Sequence, residues 1–212
     1  MDYNDISARL KRTLISLNAR FDDDIAVYTT VTKNEKKIDN KTTEFNLKIE
    51  YHFGKHDQET LINKIVIILY NLASLKDHIK NSIKNVGGES KIVEDEINES
   101  LHLQVLIDIV NQEKHGYPLK NRRSLKDPLI TNIRESYQIT VSGSGNGQSS
   151  SFVFMTQDGF KHVGDGKEQM VIVADITDGD GNLLFSLDEL VNTSFYKMEK
   201  LINDNNLIKQ EC

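Results

Sequence analysis

The sequence predicts an α+β fold: antiparallel β-strands, a long central antiparallel helical hairpin, and a helix near each end of the chain. Three observations carry this. Phe45, Leu47, Ile49, Tyr51 and Phe53 alternate strictly with polar residues, the period of a half-buried strand. Ile65, Ile68, Leu72, Leu75, Ile79 and Ile83 recur at spacings of three and four, the period of an amphipathic helix. Val86-Gly87-Gly88 then interrupts that helix, and a second helical pattern starts at Ser90.

Taken in order, residues 4–20 read as a helix with Ile6, Leu10, Leu14 and Leu17 as its apolar stripe and Lys11, Arg12 and Arg20 on its solvated side. The β-branched run from Ile25 to Thr32 reads as a strand. A polar loop or hairpin tip, TKNEKKIDNK, separates it from the strand ending at Phe53. The two are expected to pair as a hairpin with one wet face. Asp57 precedes the first long helix, about residues 59–86, and Ile92, Val93, Ile97, Leu101 and Val105 form the core side of the second. So short a link makes the two helices antiparallel neighbours.

Residues 116–133 read as an irregular connection, Tyr137–Val141, Phe152–Met155, Met170–Ile176 and Leu183–Phe185 as strands, and SGSGNGQSSS as a flexible loop. Asp178-Gly-Asp-Gly-Asn is a turn. Ser186-Leu-Asp-Glu189 is a capping box that opens a last helix, with Leu190, Phe195, Met198 and Leu201 facing inward. The tail after Asp204 is polar and expected to fray. The chain is therefore read as one domain, 1–212, with the helical hairpin at about 59–116 between β-rich segments at about 21–54 and 134–185. Two small domains are the alternative.

Composition limits the function classes. At 212 residues the chain is long enough to bury a real core. A net charge of -6 argues against general nucleic-acid or membrane-surface binding. The single cysteine, Cys212, allows no disulfide framework within the chain and no cysteine-based zinc site. The N-terminus carries charges where a signal peptide needs an apolar core, and the longest apolar run is too short to span a bilayer. A cytoplasmic protein without a membrane partner is the expectation.

One stretch stands out chemically. In LHLQVLIDIVNQEKHG, residues 101–116, an otherwise apolar helix carries Asp108 and Asn111 and closes with Lys114-His115-Gly116. Buried polar groups need partners, because an unpaired one costs several kcal/mol (~2–7). Folding the hairpin about Gly88 places Asp108 near Ile68, with Tyr70 and Asn71 in reach, His102 near Ser74, and Asn111 near Ile65. A polar cluster of Tyr70, Asn71, Asp108 and Asn111 is the expected lock between the two helices. Asp108, Asn111 and His115 also share a face, so a carboxylate, an amide and an imidazole, with Lys114 beside them, form a candidate catalytic constellation. The plainer explanation is structural. Lys114 and His115 suit the negative end of the helix dipole, Gly116 suits the cap, and Pro118 suits the stop.

The pattern Asp108-x-x-Asn111-x-x-Lys114-His115 resembles the helix end of a group of uncharacterised prokaryotic proteins in which a β-rich segment comes next. The resemblance covers about residues 60–125 and implies no activity. A fainter similarity links the same helix to HEPN-type ribonucleases, whose active site uses an Arg, a polar residue and a His on one helix. Asn111 and His115 stand at positions such residues take, but Val110 stands where the motif requires Arg.

Three further candidates complete the reading. Lys120, Arg122, Arg123 and Lys126 could neutralise phosphates, or simply line a solvated loop. Asp178, Asp180, Asn182, Ser186 and Glu189 fall at calcium-loop ligand positions, but Leu183 occupies the position that requires Gly. A turn followed by a helix cap accounts for the same residues. His52 and His56 flank Gly54 without a third ligand nearby in sequence, so zinc is not expected there. There is no GxSxG elbow, P-loop or dinucleotide fingerprint; Gln148 replaces the last Gly after Gly143 and Gly145. The expectation is a non-catalytic intracellular accessory or partner-binding protein without a cofactor, its partner another protein or a copy of itself. The alternative is an RNA-directed nuclease or toxin using Asn111 and His115.

Overall fold

A computed structural model describes residues 5–37, 43–140, 151–156, 159–164 and 166–208. The elements are α1 (Ile6–Asn18), β1 (Phe21–Asp22), β2 (Val27–Lys37), β3 (Thr43–Phe53), α2 (Gln58–Asn85), α3 (Lys91–Glu99), α4 (Leu101–His115), β4 (Leu129–Thr140), β5 (Ser151–Thr156), β6 (Gly159–Gly164), β7 (Lys167–Thr177), β8 (Leu183–Ser186) and α5 (Leu187–Asp204). This is the α+β class expected. The SGSGNGQSSS loop, apart from Ser151, and Cys212 lie outside the described residues.

The contacts gather in two compact units. The first comprises residues 1–20, 57–134 and 172–212; the second comprises 21–56 and 135–171. The chain passes between them within β4 and β7, whose residues divide at 134/135 and 171/172.

In the first unit α2 is the spine. Asp57 caps it by accepting the Thr60 N–H at 2.7 Å, and its predicted stripe, Ile65, Ile68, Leu72, Leu75, Ile79 and Ile83, is buried throughout. Gly87 takes a positive φ of 79° at its C-terminal end, where the Gly88 N–H closes back on the Ile83 carbonyl at 2.9 Å. From α4, Leu103 and the unbroken run Val105–Val110 are buried, as are Leu190, Val191, Met198 and Ile202 of α5. Together these side chains make one contiguous core.

The second helix of the expected hairpin is two helices. Ser100 adopts an extended backbone, ends α3 and starts α4 by accepting the Leu103 N–H. The break rotates α4 relative to α3, so Leu101, expected in the core, is 38% exposed. It also moves the register. Lys80 of α2 pairs with Glu94 of α3, yet farther along Lys114 of α4 lies over the Tyr70 ring, 5.2 Å from its centroid. His102, expected near Ser74, stacks on Phe185, 4.0 Å between ring centroids, while Ser74 bonds to Arg9 and to the Asn71 carbonyl.

Two expectations for α1 also fail. Leu14 is exposed, while Arg20, assigned to the solvated side, is only 7% exposed. Arg20 turns inward because α5 offers it partners: Asp188 at 2.8 Å and Asn192 at 2.9 Å.

In the second unit β2 and β3 pair antiparallel, Val27 opposite Phe53 through Lys37 opposite Thr43. The polar segment expected to be a loop or hairpin tip is strand as far as Lys37, because β3 lies in antiparallel register opposite it, with hydrogen bonds at alternate pairs. β5 and β6 form a second antiparallel pair, and β1 pairs with β7. Neither β1 nor β6 was expected. β4 begins at Leu129, so the connection after α4 is shorter than predicted.

Candidate functional site

The end of α4 is the chemically richest part of the first unit, and its side chains point three ways. Asp108 is fully buried. Its Oδ1 accepts the Arg123 backbone N–H at 2.9 Å; its Oδ2 accepts the Ser124 N–H at 2.8 Å and the Ser124 hydroxyl at 2.6 Å. The expected partners, Tyr70 and Asn71, play no part in this. Asn71 donates to its own helix, to the Ile67 carbonyl at 3.0 Å. Asp108 therefore locks a loop to the helix and does not lock helix to helix. The reason is geometric: the restart at Ser100 turns Asp108 away from α2 and toward the returning chain.

That loop has a second anchor. The Arg123 guanidinium donates to Glu94 Oε2 at 2.7 Å, and Lys80 binds the other Glu94 oxygen. Burial works to raise the Glu94 carboxyl, but the Lys80 and Arg123 hydrogen bonds and charges outweigh it and hold it down to about 2. Arg122 pairs with Asp127. Of the four basic candidates, Arg122 and Arg123 are thus committed to internal carboxylates, while Lys120 and Lys126 are exposed.

Asn111 is half buried in a small hollow of about 90 Å³ that it shares with Tyr70, Ser74, Lys76, Asp77 and Lys114. It has moved about two turns along α2 from the expected position beside Ile65, again because of the break. His115 is exposed. The structure therefore separates Asp108 from the constellation: the carboxylate serves the loop, Asn111 and Lys114 share the hollow, and His115 faces solvent.

On the other flank of α4 lies a larger cavity of about 420 Å³. Ile62, Ile65 and Val66 of α2, Ile109 of α4, and Pro128, Leu129, Ile130 and Ile133 form its apolar walls; Gln112, Glu113 and Tyr117 supply its polar edge. A volume of this size falls within the roughly 300–1,000 Å³ of small-molecule pockets. Nothing in the residue order announces it, because its walls come from three separated segments.

The calcium candidates serve a turn and a cap. Asp178 Oδ1 accepts the backbone N–H groups of Asp180 at 3.1 Å and Asn182 at 2.8 Å, and the Asn182 side chain donates to the same carboxylate. Those hydrogen bonds hold the Asp178 carboxyl below its usual range. Ser186 accepts the Glu189 N–H at 3.1 Å, as a capping residue does, and the Glu189 carboxylate lies 3.3 Å from His102 Nε2. Among the described residues no group of three or more His, Cys, Asp or Glu side chains is arranged to hold a metal ion.

The second unit holds two polar clusters that the sequence did not announce. Glu135 is buried and accepts from the Lys55 N–H at 2.8 Å, the His56 N–H at 3.0 Å and His56 Nδ1 at 2.7 Å. Burial raises its carboxyl; the His56 backbone and ring, then the Lys55 N–H, more than reverse that. Two residues on, along the same strand face, Tyr137 donates to Glu168 at 2.7 Å, and His162 Nδ1 lies 3.0 Å from the other Glu168 oxygen. Burial, then the Glu168 carboxylate, push the Tyr137 phenol far above its usual range. His52 has a different neighbour, Thr30 Oγ1 at 3.0 Å from its Nε2. The two histidines flanking Gly54 thus face different partners.

The fold and these sites define a two-unit α+β protein whose first unit carries an apolar cavity beside a carboxylate-anchored loop. Compared with known proteins, the chain matches no family model, no curated protein and no solved structure. Among the described residues no helix is long and apolar enough to cross a membrane.

Proposed function

We propose that this chain is a non-catalytic accessory protein that works inside the cell, without a cofactor, by binding another protein or a second copy of itself, and that the cavity beside α4 is where it does so. The observation behind this is the composition of that cavity: eight of its eleven lining residues are Ile, Val, Leu or Pro. An apolar hollow of this kind gains by burying an apolar side chain of a partner, at about 25 cal/mol per Å² covered. It offers no nucleophile paired with a base.

The test is to place a charge on its wall. Ile133→Glu and Ile62→Asp should abolish self-association, measured by sedimentation, or abolish capture of a partner recovered by cross-linking. Leu183→Glu, on an exposed side chain elsewhere, should change neither. Binding that survives both wall variants, in protein whose melting temperature is unchanged, would sink the proposal.

The competing reading is an RNA-directed nuclease using Asn111 and His115, in keeping with the resemblance at this helix end. The hollow shared by Asn111 and Lys114 supports it. The commitment of Arg122 and Arg123 to Asp127 and Glu94 weakens it, since a phosphate would have to displace carboxylates already in place. RNA cleavage by the wild type that His115→Ala removes, at unchanged stability, would establish it in place of the accessory reading.

A further inference from the structure

α1 meets the middle of α2 along a basic seam. The Arg9 guanidinium donates through Nη2 to Ser74 Oγ, and Ser74 donates its own proton to the Asn71 carbonyl at 2.8 Å. Arg9 Nε is buried and has no hydrogen-bond acceptor among the described residues. Helical spacing puts Arg12 one turn from Arg9 on α1, and His78 one turn beyond Ser74 on α2. Arg9, Arg12 and His78 are all half buried.

The charges here do not cancel. Burial, and after it the Arg9 charge, hold the His78 imidazole below its usual range; Asp77 opposes and Arg12 reinforces. Burial and then Arg12 lower Arg9 in the same way. Asp77 is a poor counter-ion, with its side chain 71% exposed and Lys76 at 3.7 Å. So a chain of net charge -6 gathers three basic groups around one solvated acid. A tie between α1 and α2 accounts for Nη2 of Arg9 and for Ser74. It leaves the orphaned Nε, and the placing of Arg12 and His78 one helical turn either way from the Arg9–Ser74 contact, unaccounted for.

We propose that Arg9, Arg12 and His78 form a binding site for a phosphate dianion, free or as the monoester of a small molecule, with Ser74 holding the Arg9 guanidinium in place. Two guanidinium forks match the oxygens of a tetrahedral dianion, and the anion removes the repulsion among the three groups. His78 takes up a proton as the anion binds, because a dianion beside it favours the imidazolium. The site lies apart from the residues that line the apolar cavity, so its existence does not depend on how that cavity is used.

The experiment is an NMR titration of the histidine ring signals of the full chain, with His78 assigned by its loss in His78→Gln. In chloride His78 should titrate below the ordinary histidine range. Inorganic phosphate at matched ionic strength should raise its midpoint by about one pH unit, saturably. Arg12→Gln, a substitution on a half-buried position that leaves the Arg9–Ser74 tie in place, should abolish the rise. Arms with glycerol phosphate and phosphoserine separate the sources: a rise at lower concentration than with inorganic phosphate assigns the site to a monoester, and the reverse order assigns it to free phosphate. A His78 midpoint that no arm moves, or one that moves equally in Arg12→Gln, overturns the proposal.

Discussion

Asp108 Oδ2 lies 2.8 Å from the Ser124 amide nitrogen and 2.6 Å from its hydroxyl oxygen, across sixteen residues of chain and beneath the protein surface. One carboxylate thereby replaces the water that two backbone N–H groups and a hydroxyl would otherwise need. Removing it strands all three. Asp108→Ala should cost about 3–5 kcal/mol in a denaturant titration, and Ser124→Ala about 1–2 kcal/mol, since it loses the hydroxyl's bond to Asp108 and the longer one it accepts from the Lys126 N–H at 3.3 Å. Equal and small losses for both would show that the carboxylate does not hold the loop.

Glu94 should give the first unit an acid transition. Its folded carboxyl sits near 2 against a usual 4.5, so the folded form binds the proton more weakly than the unfolded chain does. The stabilisation is therefore complete above the unfolded value and is lost as pH falls from about 5 toward 2. With the side chain 28% exposed, its size is on the order of 2 kcal/mol. Glu94→Gln should flatten that part of the stability–pH curve. An unchanged curve would mean that Lys80 and Arg123 do not hold Glu94 in solution.

Gly54 carries a positive φ of 96°, and a Cβ built on it would sit 2.1 Å from Glu135 Oε2. Gly54→Ala should therefore destabilise the second unit by about 2 kcal/mol or more, by straining the backbone and displacing the carboxylate from the His56 and Lys55 amides. Amide exchange at Lys55 and His56 is the direct readout and should speed up.

Calcium should leave the melting temperature unchanged even in millimolar excess. Asp178 already commits one carboxylate oxygen to three N–H donors of its own turn, and a ligand that bound only the folded chain would have to raise the melting temperature. A rise of several degrees would restore the calcium loop.

Periodicity made the helices and most strands legible. The α2 stripe is a matter of 3.6 residues per turn and needs no partner to be read, and the same holds for the Asp57 and Ser186 caps, whose bonds are local. The break at Ser100 was missed because the apolar pattern runs on through it; only the Ser side chain marked it. β1 is not legible because a two-residue strand is made by its partner, and β6 because GFKHVG has no alternating apolar pattern and is strand only through its pairing with β5.

The α2 stripe, the Asp178 turn and the Asp57 and Ser186 caps come from the order of residues alone, since each depends on neighbours within a few positions. That Asp108 needed a partner was equally plain from the chain around it. Which partner it took was settled only in three dimensions. Once α4 restarts at Ser100, its polar residue faces the returning loop and not the helix beside it. Arg123, Glu94 and Lys80 then meet from three distant segments. Long-range pairing of this kind leaves no local trace in a sequence, because its energy belongs to the assembled site and to none of its residues singly.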